Sequence, residues 1–369
     1  MRTMKNRMKN IIQSIILIFC TVFLLAEISE TSEAQEISTE GNVSKRFEAG
    51  KFVMEHVSDA YEWHIVTFGE TQISIPLPII LFSTDKGLNI FMSSRFHHGH
   101  ETYKDFRIEH EGANEGKIVE LNEKAEVVGL PIDLSITKTV AGIFVSAIIL
   151  LAIFLSIAKS ARQRVNKAPK GLQSLFEPVI LFVRDEVAKP AIGEKKFEEF
   201  MPYLLTVFFF ILINNILGLI PIFPFGANVT GNIAVTLVLA MFTFFITTIN
   251  GNKHYWKEIY NPDVPWWLKF PIPLMPIVEL SGLITKPFVL MVRLFANMLA
   301  GHMIITVFVG LIFIFNAKMG LEAGLGVSVI SVAFSVFILL LDVLVSFIQA
   351  YVFTLLSALY FGMATSEHH

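Results

Sequence analysis

The sequence predicts an all-α membrane protein with about five transmembrane helices. The last two are long and steeply inclined as a hairpin, with an amphipathic surface helix and a small extracytoplasmic N-terminal region beside the bundle. Three observations predict it. Of the 369 residues, 53% are hydrophobic and only 17% charged, and the mean hydropathy of +0.60 is too high for a soluble chain of this size. Long apolar runs are separated by short charged segments. The basic residues gather on one side of those runs, which orients the chain across a bilayer.

Arg2, Lys5, Arg7 and Lys9 precede an apolar stretch over 11–26, and Ser32, Glu33 and Ala34 form a small-x-small cleavage pattern. This reads as a secretion signal over 1–34, since the stretch of about 16 residues is shorter than the roughly 20 that spanning requires. The alternative is an uncleaved first helix, and either places the following residues outside the cytoplasm. Residues 35–136 form an extracytoplasmic region, polar and carrying six of the ten histidines, with alternating runs such as 73–81 that suit strands. Residues 137–369 form the membrane domain.

The first span is 140–158, uncharged, followed by Lys159, Arg162, Arg164, Lys167 and Lys170 with no acid among them. By the positive-inside rule it runs inward. Residues 172–195 mix apolar side chains with Glu177, Arg184, Asp185 and Glu186 and suit an amphipathic helix on the cytoplasmic surface. A second span over 201–225 ends in a Pro-rich turn. A third, 233–248, leads to an inner loop marked by Lys253, His254 and Lys257, with Trp266 and Trp267 as interfacial anchors. The apolar stretches 281–315 and 327–363 are each about 35 residues, or roughly 50 Å if helical, against a hydrocarbon core of about 30 Å. They must be broken or steeply inclined, joined by a polar loop over 316–326.

Composition also excludes function classes. A formal charge of -3 gives no basic surface for nucleic acid. Cys20 is the only cysteine, which rules out a disulfide framework or a thiol metal cluster. His97, His98 and His100 invite a metal reading, but without cysteine they fit a polar loop better, so no cofactor and no metal is expected.

Ionisable residues sit inside the last two apolar stretches: Glu279, Lys286, Arg293 and His302 on one, Asp342 on the other. A charge at mid-membrane costs about 2.5–3.5 kcal/mol on insertion scales, so such residues line an ion pathway or pair with one another. Steps of seven from Glu279 through Lys286 to Arg293 share a helical face, and steps of four extend it to Asn297 and Gly301. Asp342, Ser346 and Gln349 make a polar face on the last helix. Arginine keeps its charge in lipid, so Arg293 is a fixed positive post. It would drive a passing carboxylate to release its proton and repel protons leaking between two access routes. His302, nine residues on, is half a turn away and faces elsewhere: Arg293 toward a moving partner, His302 toward an access channel and the last helix.

Lys286 and Pro287, followed by Arg293, Leu294, Phe295, Ala296, Asn297, Met298, Leu299, Ala300, Gly301 and His302, resemble the signature of subunit a of F-type ATP synthases. Asp342 and the run from Ile348 through Gln349 and Ala350 to Phe353 are similar to the last helix of that family, and looser likeness extends from about residue 137 to the C-terminus. The resemblance implies a proton-translocating stator subunit in a bacterial plasma (inner) membrane, with its N-terminal region outside and its C-terminus cytoplasmic. Implied partners are a ring of c subunits carrying the moving carboxylate, the b subunits of the peripheral stalk and, indirectly, the soluble ATPase head. It implies Asn297, His302, Asp342 and Gln349 in an outer half-channel and Glu279 near the cytoplasmic exit. In many bacterial relatives the acid and the imidazole occupy each other's positions; here they stand exchanged, and either can pass a proton.

Plainer roles compete at several positions. Arg293 could form a structural ion pair with Asp342 or Glu279, and Lys286 could pair with Glu279 or snorkel. Asn214 and Asn215 suit interhelical hydrogen bonds as well as a channel lining. Asn228 and Thr230 read as a helix cap rather than a glycosylation site. The rival function is a proton-coupled secondary transporter, but the matched repeats with broken helices that such folds show are not apparent. No motif for nucleotide binding or hydrolysis is present.

Overall fold

The computed structural model describes residues 59–366 apart from 69–70, 85, 98, 100, 110–111, 113, 123, 125, 164–167, 221–223, 261–273 and 320. The leader, Cys20, His98, His100, Trp266 and Trp267 lie outside the described residues. Among the described residues, eight strands in three small antiparallel sheets precede the long helices. β1 (Glu62–Phe68) pairs with β2 (Thr71–Pro76). β3 (Pro78–Ser83) lies between β4 (Gly87–Met92) and β8 (Ile132–Asp133). β6 (Ile118–Leu121) lies between β5 (Phe106–Ile108) and β7 (Val127–Gly129). The alternating run 73–81 is therefore two strands in different sheets. Prolines at 76 and 78 flank Leu77, and a proline cannot donate to a ladder, so pairing changes partner there. Ile79, Leu81, Phe91, Phe96, Phe106 and Ile118 form a separate core for this region.

The helices follow as α1 (Lys138–Gln163), α2 (Leu172–Phe182), α3 (Lys189–Ile192), α4 (Phe197–Leu219), α5 (Ile233–Ile249), α6 (Lys253–Tyr260), α7 (Leu274–Met319) and α8 (Leu321–Thr365). Among the described residues, four helical stretches are long and apolar enough to cross a membrane: α1, α4, Val278–Phe308 and Gly326–Thr365. The fifth expected span, α5, has 17 residues, or about 26 Å, slightly under the core thickness. The amphipathic segment is helical, with a π-helical turn over Val183–Ala188 between α2 and α3. Asp185 bonds Arg184 and Lys189, each at 2.7 Å, while Val183, Val187 and Ala188 are buried.

Two boundaries differ from the sequence reading. The second span closes at Leu219 rather than 225, because Ile220 precedes Pro221 and takes extended angles (φ -90, ψ 107), as residues before proline do. The expected loop over 316–326 is helix on both sides of Gly320: Ala317, Lys318, Met319, Leu321, Glu322 and Ala323 are strong helix formers, and propensity outweighs their polarity. The two helices of 46 and 45 residues are unbroken, α7 running through Pro287, and each is over twice the length needed for one crossing.

α4 is the hub. Buried residues make up 78% of its most apolar stretch against 6% for α8, and Phe200 of α4 stacks on Phe361 of α8 at 4.8 Å. Tyr203 shares a hydrogen bond with Thr243 at 2.8 Å, and Thr243 with Ser357 at 3.1 Å, linking α4, α5 and α8 through buried hydroxyls. Small residues allow close approach: a Cβ on Gly142 would meet that of Ala227 at 2.7 Å, and one on Gly362 would overlap the Ala191 carbonyl. The strand region is keyed to the bundle. Asp59 accepts a hydrogen bond from Thr139 N at 2.9 Å at the start of α1, Lys138 N donates to Ala60 O at 2.8 Å, and Trp63 is buried in the bundle's own core.

Candidate functional site

The site is built on α7, whose buried face carries Leu290, Met291, Leu294 and Met298 at helical spacing. Anchoring that face turns the opposite one outward. Val289 and Val292 are exposed there beside Phe288, and Arg293 and Asn297 are exposed along its edge. Among the described residues Arg293 forms no ion pair, so the expected alternative of a structural pair with Asp342 or Glu279 is not what the geometry shows. Its charge reaches Tyr360 of α8, and the Tyr360 ring also lies 5.6 Å beneath Lys286 Nζ. Lys286 therefore rests on an aromatic face, a cation–π contact, in a cleft that Thr243, Thr247, Tyr255 and Tyr360 also line. Glu279 is half-exposed near the start of the same helix.

Gly301 does not continue the Arg293 face. It is buried, and a Cβ there would lie 2.7 Å from Asp342 Oδ2 and 2.8 Å from Oδ1. Each step of four residues turns about 40° beyond a full circle, so two steps carry Gly301 about 80° around the helix. The absent side chain of Gly301 is the space that seats the Asp342 carboxylate. Ser346 is fully buried one turn beyond Asp342 and donates to its backbone carbonyl at 2.7 Å, and Gln349 is 7% exposed. Of the expected polar face on the last helix, Asp342 points at α7 and the other two are packed inside.

His302 is half a turn from Arg293 on α7 and lies beside α4. A Cβ on Gly218 would sit 3.5 Å from His302 Nε2. Among the described residues His302 Nε2 and Asp342 Oδ2 are buried atoms without a hydrogen-bond partner. Asn215 Nδ2, Asn228 Nδ2, Thr248 Oγ1 and Ser335 Oγ share that condition, and buried polar atoms of this kind are ordinarily met by ordered water. Asn214 donates to Phe210 O at 2.8 Å, within its own helix, so its side chain is tied to backbone. Asn215 accepts from Thr230 Oγ1, joining α4 to the turn before α5. Asn228 caps that turn by accepting from Gly231 N at 3.0 Å.

Sequence reasoning missed Gly218, Tyr360 and Lys138, whose charge reaches His302. The two glycine pockets had no visible signal, because a missing side chain shows its purpose only when the partner helix is in place. Tyr360 is 67 residues from Arg293, and nothing in the spacing joins them. Among the described residues no group of three His, Cys, Asp or Glu side chains could hold a metal; His97 instead faces Glu101 at 3.6 Å.

Comparison with known proteins follows the same division. Residues 140–362 match the family described as ATP synthase A chain, and residues 52–134 match a family described only as a domain of unknown function. The chain is 44% identical over 251 residues to ATP synthase subunit a of Chloroherpeton thalassium, covering 66% of this chain and 70% of that protein. It is 45% identical over 248 residues to ATP synthase subunit a 2 of Chlorobaculum tepidum, covering 66% of each. To ATP synthase subunit a of Myxococcus xanthus it is 41% identical over 245 residues, covering 64% of this chain and 75% of that one. An outward arginine on a largely apolar helix, an acid and an imidazole each with one buried polar atom, and these matches lead to one conclusion: the chain is a multi-pass membrane protein belonging to the ATP synthase A chain family.

Proposed function

We propose that this chain is the proton-translocating stator subunit of an F-type ATP synthase in a bacterial plasma membrane, and that Arg293 is the charge its rotor passes. The observation that carries the reading is the exposed, permanently charged Arg293 on a largely apolar helix, which is costly in lipid unless an acidic partner meets it. The partner is a carboxylate on a ring of c subunits. On approach, the guanidinium favours the ionised acid and a proton leaves; on departure the acid reprotonates from the opposite route. Because arginine does not deprotonate, it carries no proton itself and blocks a direct leak between the routes.

The outer half-channel runs past His302 and Asp342 between α4, α7 and α8, with Asn297, Ser346 and Gln349 near it and Asn214 as lining or glue. The inner half-channel runs by the Lys286–Tyr360 cleft toward Glu279. In this reading 35–136 lies outside, the C-terminus is cytoplasmic, α7 and α8 cross as an inclined hairpin, and b subunits hold the chain still against the ring. Arg293→Ala is expected to abolish ATP synthesis driven by a proton gradient while the complex still assembles. Synthesis at the normal rate in assembled Arg293→Ala complexes would refute the assignment.

A further inference from the structure

The sheet β4-β3-β8 is apolar on both faces. Ile79, Leu81 and Phe91 point into the core of the strand region. Cross-strand partners share a face, and the register sets Leu88, Phe82 and Ile132 in one row and Ile80 and Ile90 in the next. On that second face Phe82 is 47% exposed, Leu88 59%, Ile90 61% and Ile132 57%. A sheet with one face in water alternates apolar with polar; this one does not. Met92, paired with Pro78 on the same face, adds to the apolar surface at 43% exposed. Asp133, the one charge within these three strands, is on the inner side, paired with Leu81, and accepts from Tyr61 Oη at 2.5 Å. Contiguous exposed apolar surface of this kind marks an interaction site.

The position of the sheet selects its occupant. β8 ends at Asp133 and the membrane-crossing α1 begins at Lys138, and four intervening residues reach at most about 14 Å. The strand region is also fixed to the bundle, by Trp63 in the bundle core and by Asp59 at the start of α1. The chain thus leads from the exposed Ile132 directly into a helix whose exposed Ile148 and Leu155 meet lipid. We infer that the outer face of the β4-β3-β8 sheet docks on the bilayer, with Phe82, Leu88, Ile90 and Ile132 seated at the headgroup and acyl boundary. The strand region is then a monotopic attachment that holds the end of α1 at fixed depth.

The test uses the assembled complex in proteoliposomes, with Cys20→Ser as background and single cysteines Leu88→Cys, Ile90→Cys and, as control, Glu115→Cys on an exposed turn. Each is labelled with an environment-sensitive fluorophore and quenched by lipid bearing a nitroxide near the headgroup or by aqueous iodide. Lipid quenching at 88 and 90 is expected to exceed that at 115 by about threefold or more, with iodide quenching reduced, as for side chains about 5–10 Å into the interface. Iodide quenching at 88 and 90 equal to that at 115 would show the face in water and overturn the inference. Protection from both quenchers would show it covered by another subunit or a second copy, and would overturn it equally. The readout is independent of proton flux, so it stands or falls separately from the role of Arg293.

Discussion

Replacing Gly301 by alanine tests whether Asp342, the acid on the last helix, belongs to the proton route. The added methyl would lie 2.7 Å and 2.8 Å from the two oxygens of Asp342 and 3.0 Å from its Cγ, where ordinary contact begins at 3.4 Å. The carboxylate must therefore retreat by about 0.4–0.7 Å, a strain in the range of 1–3 kcal/mol for overpacking. Asp342 is half-exposed and can swing on its own rotamers, so the helices need not part. Proton transfer, however, needs heavy atoms within about 2.6–3.2 Å, and a displacement of this size breaks such a chain. Gradient-driven ATP synthesis in inverted vesicles, normalised to assembled complex, is expected to fall about tenfold or more, the equivalent of roughly 1.4 kcal/mol in the barrier. Gly218→Ala is the internal control. Its methyl would lie 3.2 Å from Ala227 O and 3.5 Å from His302 Nε2, and a loss below about threefold is expected from so mild a contact. If Gly301→Ala does not assemble, adding Asp342→Ala should restore assembly but not synthesis. Assembled Gly301→Ala complexes working at the normal rate would refute a route through Asp342.

Two further outcomes follow from packing and charge. Gly362→Ala sets a methyl against the Ala191 backbone carbonyl, which cannot rotate away, so the contact between α3 and α8 must open; a lowered melting temperature in detergent, by several degrees, is expected, and an unchanged one would contradict the close approach. Hydrogen bonds from Arg184 and then Lys189 hold the Asp185 carboxyl well below its ordinary range. The folded state thus favours the ionised acid, and its contribution is present above about pH 4 and lost as pH falls toward the depressed folded value. Hydrogen exchange over 183–192, corrected for intrinsic rates, should lose protection on acidification in the wild type and show a flatter profile in Asp185→Asn; identical profiles would remove the ion pairs from the argument. The effect is small because the pairs are solvent-exposed.

The membrane class, the approximate spans and the presence of a charge, Arg293, inside an apolar run were legible in the sequence, because each rests on a local property. Hydropathy decides what a 20-residue run can dissolve in, and a charge inside such a run is unfavourable wherever the neighbours lie. The outward facing of Val292 and the flanking place of Arg293 also follow from one helix, once the apolar residues at 290, 294 and 298 fix which side is buried; the exposure of Asn297, only about 20° around the helix from Leu290, does not. The end of α4 before Pro221 could have been read from the residue preceding a proline, and the uninterrupted helices around Gly320 from propensity; polarity was given too much weight at both.

Relations between helices were decided only by the tertiary structure. That Gly301 vacates the space for Asp342, that Gly218 faces His302, and that Tyr360 lies under Lys286 within reach of Arg293 depend on how far apart three helix axes pack and how each is rotated. A one-residue register shift would turn a side chain by about 100° while leaving composition and spacing untouched. The outer face of the β4-β3-β8 sheet is the same case, since alternation marks Leu88 and Ile90 as one face of a strand but not whether that face or its reverse encloses the core. Sequence determined which residues carry charge into the membrane; packing alone determined which of them meet.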